Sequence, residues 1–381
     1  MAGQTEAETP DTAGLTINPL DLPRRHQVGL LGLLAFALLP LAAPIEAIGF
    51  ISPLTILQVT GALFFAVYVM TWDVVSGYTG EISFGHALFI GVGAYTSGML
   101  NVHLDVPLVA SIPLAVVAAS LAGLLIGFPS LRVKGPYFSL ITLVTPIILL
   151  RIFVFFSDVT GGETGLFGIA TISFDPLTNY YIAFALFIFA LAIFLAITRS
   201  DAGQILTAIR EDEDAVVSVG LNPAKYKLFA FVLSGAIGGL GGALYVHTYA
   251  QGVATPSETL GLVLSIELIV ATILGGIGTI TGAAIGGLFF FLVRTWLRNV
   301  EVTIPVLAVP VSELYFLIFG LITLGFLFFL PEGLVPRTLL EVKRLRGRTR
   351  TQAQTDGGEP RRSLVERVQD GLDRLRWGDR R

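Results

Sequence analysis

Glu81 and His86 are two ionisable side chains inside a glycine-dense apolar stretch, GYTGEISFGHALFIGVGAYTS at 77–97. Such groups are costly in hydrocarbon and normally face a cavity or a partner. Five residues apart, the two do not share a helical face. Gly77, Gly80 and Gly85 suit a helix break, which frees backbone N–H and C=O groups. A polar substrate or water is expected to supply their partners, as at the broken helices of transporters. Ser83 is placed to cap the new helix start, whose positive dipole end favours a carboxylate. Two readings stand for this stretch. One is a substrate pathway through Gly80, Glu81, Ser83, Gly85 and His86. The other is a Gly/Ser helix-packing face, with His86 a neutral imidazole bonded to a neighbouring helix. In that second reading Glu81 lies at the membrane interface beside Asp73.

A third candidate is Glu267, a single carboxylate in LSIELIVATILGGIG. It belongs to the pathway, to an ion pair with Arg151 or Arg294, or to a position close to the interface. Next to it, Gly278, Gly282 and Gly286 repeat at a spacing that favours tight helix contact. In VTGGETG (159–165), Gly161 and Gly162 either let backbone amides approach an anion or form an ordinary turn, and composition favours the turn. There is no P-loop, catalytic triad or paired nucleophile and base, and the four histidines lack metal-ligand spacing. With no cysteine, thiolate sites are excluded. No catalytic residue, metal or cofactor is therefore assigned, no nucleic acid partner is expected, and the chain does not read as an enzyme.

The elements that must position these residues are membrane helices. The chain has 381 residues, 54% hydrophobic and 14% charged, with a mean hydropathy of +0.77. Soluble domains carry about a quarter charged residues, so this chain has too little polar surface to cover itself in water. Apolar runs fall at 28–48, 52–72, 106–128, 136–156, 178–197, 226–249 and 312–330. Two further glycine-rich stretches are 82–100 and 261–296, the second long enough for two short spans broken near Gly275–Gly282. The expected fold is an all-α polytopic membrane protein with about ten transmembrane helices, some short or broken at glycine-rich segments.

Three regions follow: a polar N-terminal arm (1–27), a transmembrane domain (28–335) and a basic tail (336–381). No cleavage site follows the first apolar run, so it reads as a retained helix. Thirteen of the 24 Lys and Arg residues lie at or after Arg337. With ten spans, Arg24/Arg25, Arg132/Lys134, the 199–227 segment and the tail share one side, the cytoplasm by the positive-inside rule. In the tail, Leu364, Val368, Leu372 and Leu375 fall on one helical face that suits an anionic lipid surface, against a plain solvated tail. The insert 198–225 reads as a cytoplasmic helix with Ile205, Ile209, Val216 and Val219 on one face, ended by Gly220 and Asn222-Pro223. It suits either docking on a soluble partner or a solvated connection.

These segments resemble the permeases of branched-chain amino acid ABC transporters, of the LivM type. The resemblance rests on GYTGEISFGHALFIGVGAYTS, on LRVKGPYFSLITL (131–143), on TGGETGL (160–166), on residues 203–245 and on LSIELIVATILGGIGTITGAAIG (264–286). It covers about 28–335 and leaves both tails outside. It implies import of leucine, isoleucine and valine across the plasma membrane by alternating access, with both termini cytoplasmic. It implies a second LivH-like permease subunit, two ATP-binding subunits that hydrolyse ATP, and an extracytoplasmic substrate-binding protein. It also implies that Asp214, Ala215, Val216 and Gly220 form the ATPase-coupling helix. Asp and Val stand there where that motif has Glu and Ala, and Glu81 stands where the family commonly has Gln. Urea or short amides are the alternative cargo within the family. A self-sufficient secondary transporter is the rival of another class, but it would need a relay of carboxylates that the sequence lacks.

Overall fold

The computed structural model describes residues 24–42, 52–130, 133, 135–300, 303–304, 309–310, 313–329 and 333–334. Arg132, Lys134, the N-terminal arm before Arg24 and the tail from 335 onward lie outside the described residues. Among the described residues the chain is all-α apart from two paired two-residue strands. In order the helices are α1 (Arg24–Leu38), α2 (Pro53–Trp72), α3 (Ala87–Leu104), α4 (Leu108–Ser130), α5 (Pro136–Phe155), a short α6 (Ser157–Thr160) and α7 (Pro176–Thr198). Then follow α8 (Asp201–Glu211), α9 (Glu213–Ser218), α10 (Pro223–His247), a short α11 (Pro256–Thr259), α12 (Leu262–Gly275), α13 (Ile280–Arg298) and α14 (Tyr315–Phe329). Among the described residues eight helices are long and apolar enough to cross a membrane, with shorter apolar helices at Leu31–Leu41 and Leu317–Phe326.

Helices form because hydrocarbon offers no partner for a backbone amide, so each span must satisfy its own. Starts are set locally. Proline opens α2, α5, α7 and α10, where its missing N–H costs nothing. Ser52 closes a capping box on Thr55, and Asp175 accepts the Thr178 amide at 3.0 Å. Outside the spans, that bonding by the Thr178 hydroxyl and amide lowers the Asp175 pKa.

The α2 helix is the axis of the bundle. Its second half is buried, and α7, α10, α12 and α13 pack around it. The α3 helix packs on α4 and α10 through glycines: a Cβ on Gly93 would strike the backbone of Gly239, and one on Gly242 the backbone of Ile90. These are the close approaches small residues permit between membrane helices. The outer helices carry large exposed apolar side chains, such as Leu125, Val144 and Leu324.

The glycine-rich break in 261–296 is present, between Gly275 and Ile280. Gly275, Gly282 and Gly286 bring α12 against α13. Gly278 does not share that contact, because it sits in the link with φ +75° and its amide turns to Asp73. The insert 198–225 also differs from one continuous helix. Asp212 is extended (φ −158°, ψ 99°) and its carboxylate caps α9 at the Ala215 amide, splitting the segment into α8 and α9. Leu206, Ile209 and Val216 are buried, whereas Val219 is exposed.

Candidate functional site

The 77–97 stretch is broken where its glycines suggest. The α2 helix widens into a π-turn over Asp73–Gly77, and regular helix resumes at Ala87. Such π-turns are rare and concentrate at functional sites. Gly80 has φ +78°, and a Cβ there would sit 3.1 Å from Arg210 Cγ.

The protein itself supplies partners for several groups of the freed backbone. Ser83 N donates to Ser76 Oγ (3.1 Å), Phe84 N to Thr142 Oγ1 (3.2 Å) and Ala87 N to Ser265 Oγ (3.2 Å). Trp72 Nε1 and Ser139 Oγ donate to the carbonyls of Ser83 and Ile82, each at 2.7 Å. Ser83 therefore does not cap α3; Ser265 from α12 reaches its first amide, and the Ser83 hydroxyl lies 3.3 Å from His86 Nδ1.

His86 is buried, and Nε2 lies 2.8 Å from Ser234 Oγ and 3.1 Å from the Thr71 carbonyl. Ser234 Oγ donates to that same carbonyl at 2.9 Å, so Nε2 carries the proton toward Ser234. With Ser83 at the other nitrogen, the imidazole is a crosslink between α2, the start of α3 and α10.

Glu81 lies 2.7 Å from the buried Lys227 ammonium of α10, which also reaches Glu213 of α9 at 3.2 Å. Beside it, Arg210 of α8 donates to the Gly77 carbonyl at 2.9 Å. Asp73 is fully buried, and Oδ1 accepts the Gly278 amide at 2.7 Å. It is thus a tie between two helix breaks. Arg210 ties α8, and Gly278 the α12–α13 link, directly to the broken end of α2, while Lys227 of α10 bridges α9 to it.

At the opposite end of the bundle a cavity of about 470 Å³ opens between α2, α10, α12 and α13. Its polar lining includes Tyr68, Glu258, Glu267, Arg294 and Arg298. Glu267 is ion-paired with Arg294, one of the two partners named from sequence. Among the pathway candidates only Glu267 lines this cavity. Gly161 and Gly162 both have positive φ in a turn, which packs through the Leu166–Ala254 bridge beside it. Asp214 and Ala215 lie exposed on α9 with Val216 turned inward. Gly220 ends the helix at φ +85°, its amide bonded to Val217 O and that of Leu221 to Val216 O.

Residues 55–327 match the model of a family described as branched-chain amino acid transport system / permease component. The chain belongs to this family. The permease is similar to the high-affinity branched-chain amino acid transport system permease protein LivM of Escherichia coli strain K12, with 27% identity over 71% of this chain and 67% of that protein. It is similar to the probable branched-chain amino acid transport permease protein LivM of Methanocaldococcus jannaschii, with 25% identity over 68% of this chain and 87% of that one. It also resembles BraD, a high-affinity branched-chain amino acid transport system permease protein of Pseudomonas aeruginosa, at 26% over 59% of this chain and 78% of that protein. No solved structure matches.

The amino-acid sequence of the permease does not single out Lys227, Arg210 or Tyr68. Lys227 did leave a signal, since it sits where a polar insert meets an apolar span. Tyr68 left none, because one tyrosine in an apolar run reads as core.

Proposed function

We propose that this permease is the membrane-spanning subunit of an ATP-binding cassette importer for branched-chain amino acids. The observation that carries this reading is the family match over 55–327 together with the linkage of α9 to the broken end of α2. ATP hydrolysis belongs to separate subunits. The assembly comprises a LivH-like second permease, two ATP-binding subunits and an extracytoplasmic substrate-binding protein, in the plasma membrane with both termini cytoplasmic.

In this reading the α8–α9 end faces the cytoplasm and α9 docks on an ATPase. Exposed Val217, Val219 and Leu221 offer an apolar contact beside Asp214 and Ala215. Closure of the ATPases displaces α9. Lys227 and Arg210 carry the displacement to the end of α2 and to residues 80–86, whose backbone lacks a helical ladder to resist it. Two packed arrangements of the bundle then alternate access to the two sides.

The test is uptake of radiolabelled leucine by cells lacking this gene and by cells with it restored, with urea and an unrelated sugar as controls. ATP-dependent leucine uptake that disappears and returns supports the reading. Loss of urea uptake alone would move the cargo, and uptake driven by an ion gradient without ATP would overturn the coupling.

A further inference from the structure

The cavity opposite α8–α9 has features that the packing of the bundle does not account for. The Tyr68 hydroxyl is buried on its wall with no hydrogen-bond partner among the described residues. A hydroxyl left unbonded in hydrocarbon surroundings is costly, and a native structure keeps one where something else completes it. The charged lining is balanced, with Glu258 and Glu267 against Arg294 and Arg298. A cavity of both signs and no net charge suits a ligand that carries both signs. Part of the remaining wall, including Phe64, Ile90 and Leu264, is apolar. At about 470 Å³ the space is within the range of small-molecule sites.

We infer that this cavity is a transient substrate site within the permease, taking a zwitterionic α-amino acid with a hydrocarbon side chain. The ammonium group meets the Glu258/Glu267 side and the carboxylate the Arg294/Arg298 side. Tyr68 supplies a hydrogen bond, and the side chain lies on the apolar wall. The Glu267–Arg294 pair holds the empty site neutral and opens to the ligand's own charges. This inference rests on the amino acid reading given above and adds the place and the contacts.

The chain has no native cysteine, so a single cysteine on the cavity wall reports occupancy without background from this subunit. Leu264→Cys, or Val263→Cys if the first does not assemble, is placed in the full transporter in membrane vesicles. Each is labelled with a thiol reagent, and the mass shift is read on this chain. Leucine should slow labelling, while ribose should not. Tyr68→Phe, which removes only the hydroxyl, should raise the leucine concentration for half-protection roughly fivefold, the effect of one neutral hydrogen bond. Labelling indifferent to leucine in vesicles that do import leucine would overturn the site alone. Half-protection unchanged by Tyr68→Phe would overturn the assigned contact. Vesicles that import no leucine would overturn the amino acid reading itself, a different failure.

Discussion

The Lys227 ammonium lies 2.7 Å from the Glu81 carboxylate, buried where α10 meets the broken end of α2. The same ammonium holds Glu213 at 3.2 Å, so one cation joins the α9 helix to the backbone break. Removing one partner of a buried pair leaves uncompensated charge and costs about 3–5 kcal/mol. Lys227→Met is therefore expected to cut leucine uptake more than tenfold and lower the yield of assembled transporter. Glu81→Gln keeps the Lys227–Glu213 contact and should be mild alone. It should restore part of the yield when combined with Lys227→Met. Uptake and quantitative blotting of membranes check both, and a harmless Lys227→Met would exclude the tie.

Gly220 has open space where a Cβ would go, so its glycine answers a backbone need, φ +85°, and not a packing one. A β-branched residue there costs about 1–2 kcal/mol in backbone strain, whereas asparagine tolerates this region. Gly220→Val should abolish most uptake while the chain still reaches the membrane, and Gly220→Asn should keep most of it. Equal uptake by both variants would remove Gly220 from the docking geometry.

Asp73→Leu deletes the acceptor of the Gly278 amide, and a buried amide without a partner costs about 1–3 kcal/mol. The melting temperature of the purified transporter should fall. Asp73→Asn keeps an oxygen at that position and should lose less. Thermal unfolding followed by size-exclusion recovery separates the two.

Gly93 and Gly320 offer a contrast in packing. A Cβ on Gly93 meets the α10 backbone, while around Gly320 nothing lies within 4 Å. Gly93→Leu should force α3 from α10 and reduce folded yield severely. Gly320→Leu should leave yield near the unsubstituted level. Membrane extraction followed by monodispersity measurement tests the pair.

The sequence by itself determined the class of the protein. Long apolar runs can only be helices in hydrocarbon, and glycines with an ionisable residue among them mark a break, so the spans and the interruptions near Gly80 and Gly278 were legible. So was the end of α9 at Gly220, which is a local backbone matter. Tertiary structure decided who satisfies whom. Ser265 caps α3 from 178 residues away, and Lys227 neutralises Glu81 from 146 away. It also decided that Glu267 faces a cavity with Arg294 and Tyr68, while His86 is consumed by crosslinking helices. Helical periodicity and local propensity act over a few residues. In a medium without water, the partner of a buried polar group is whichever one the packing brings within about 3 Å.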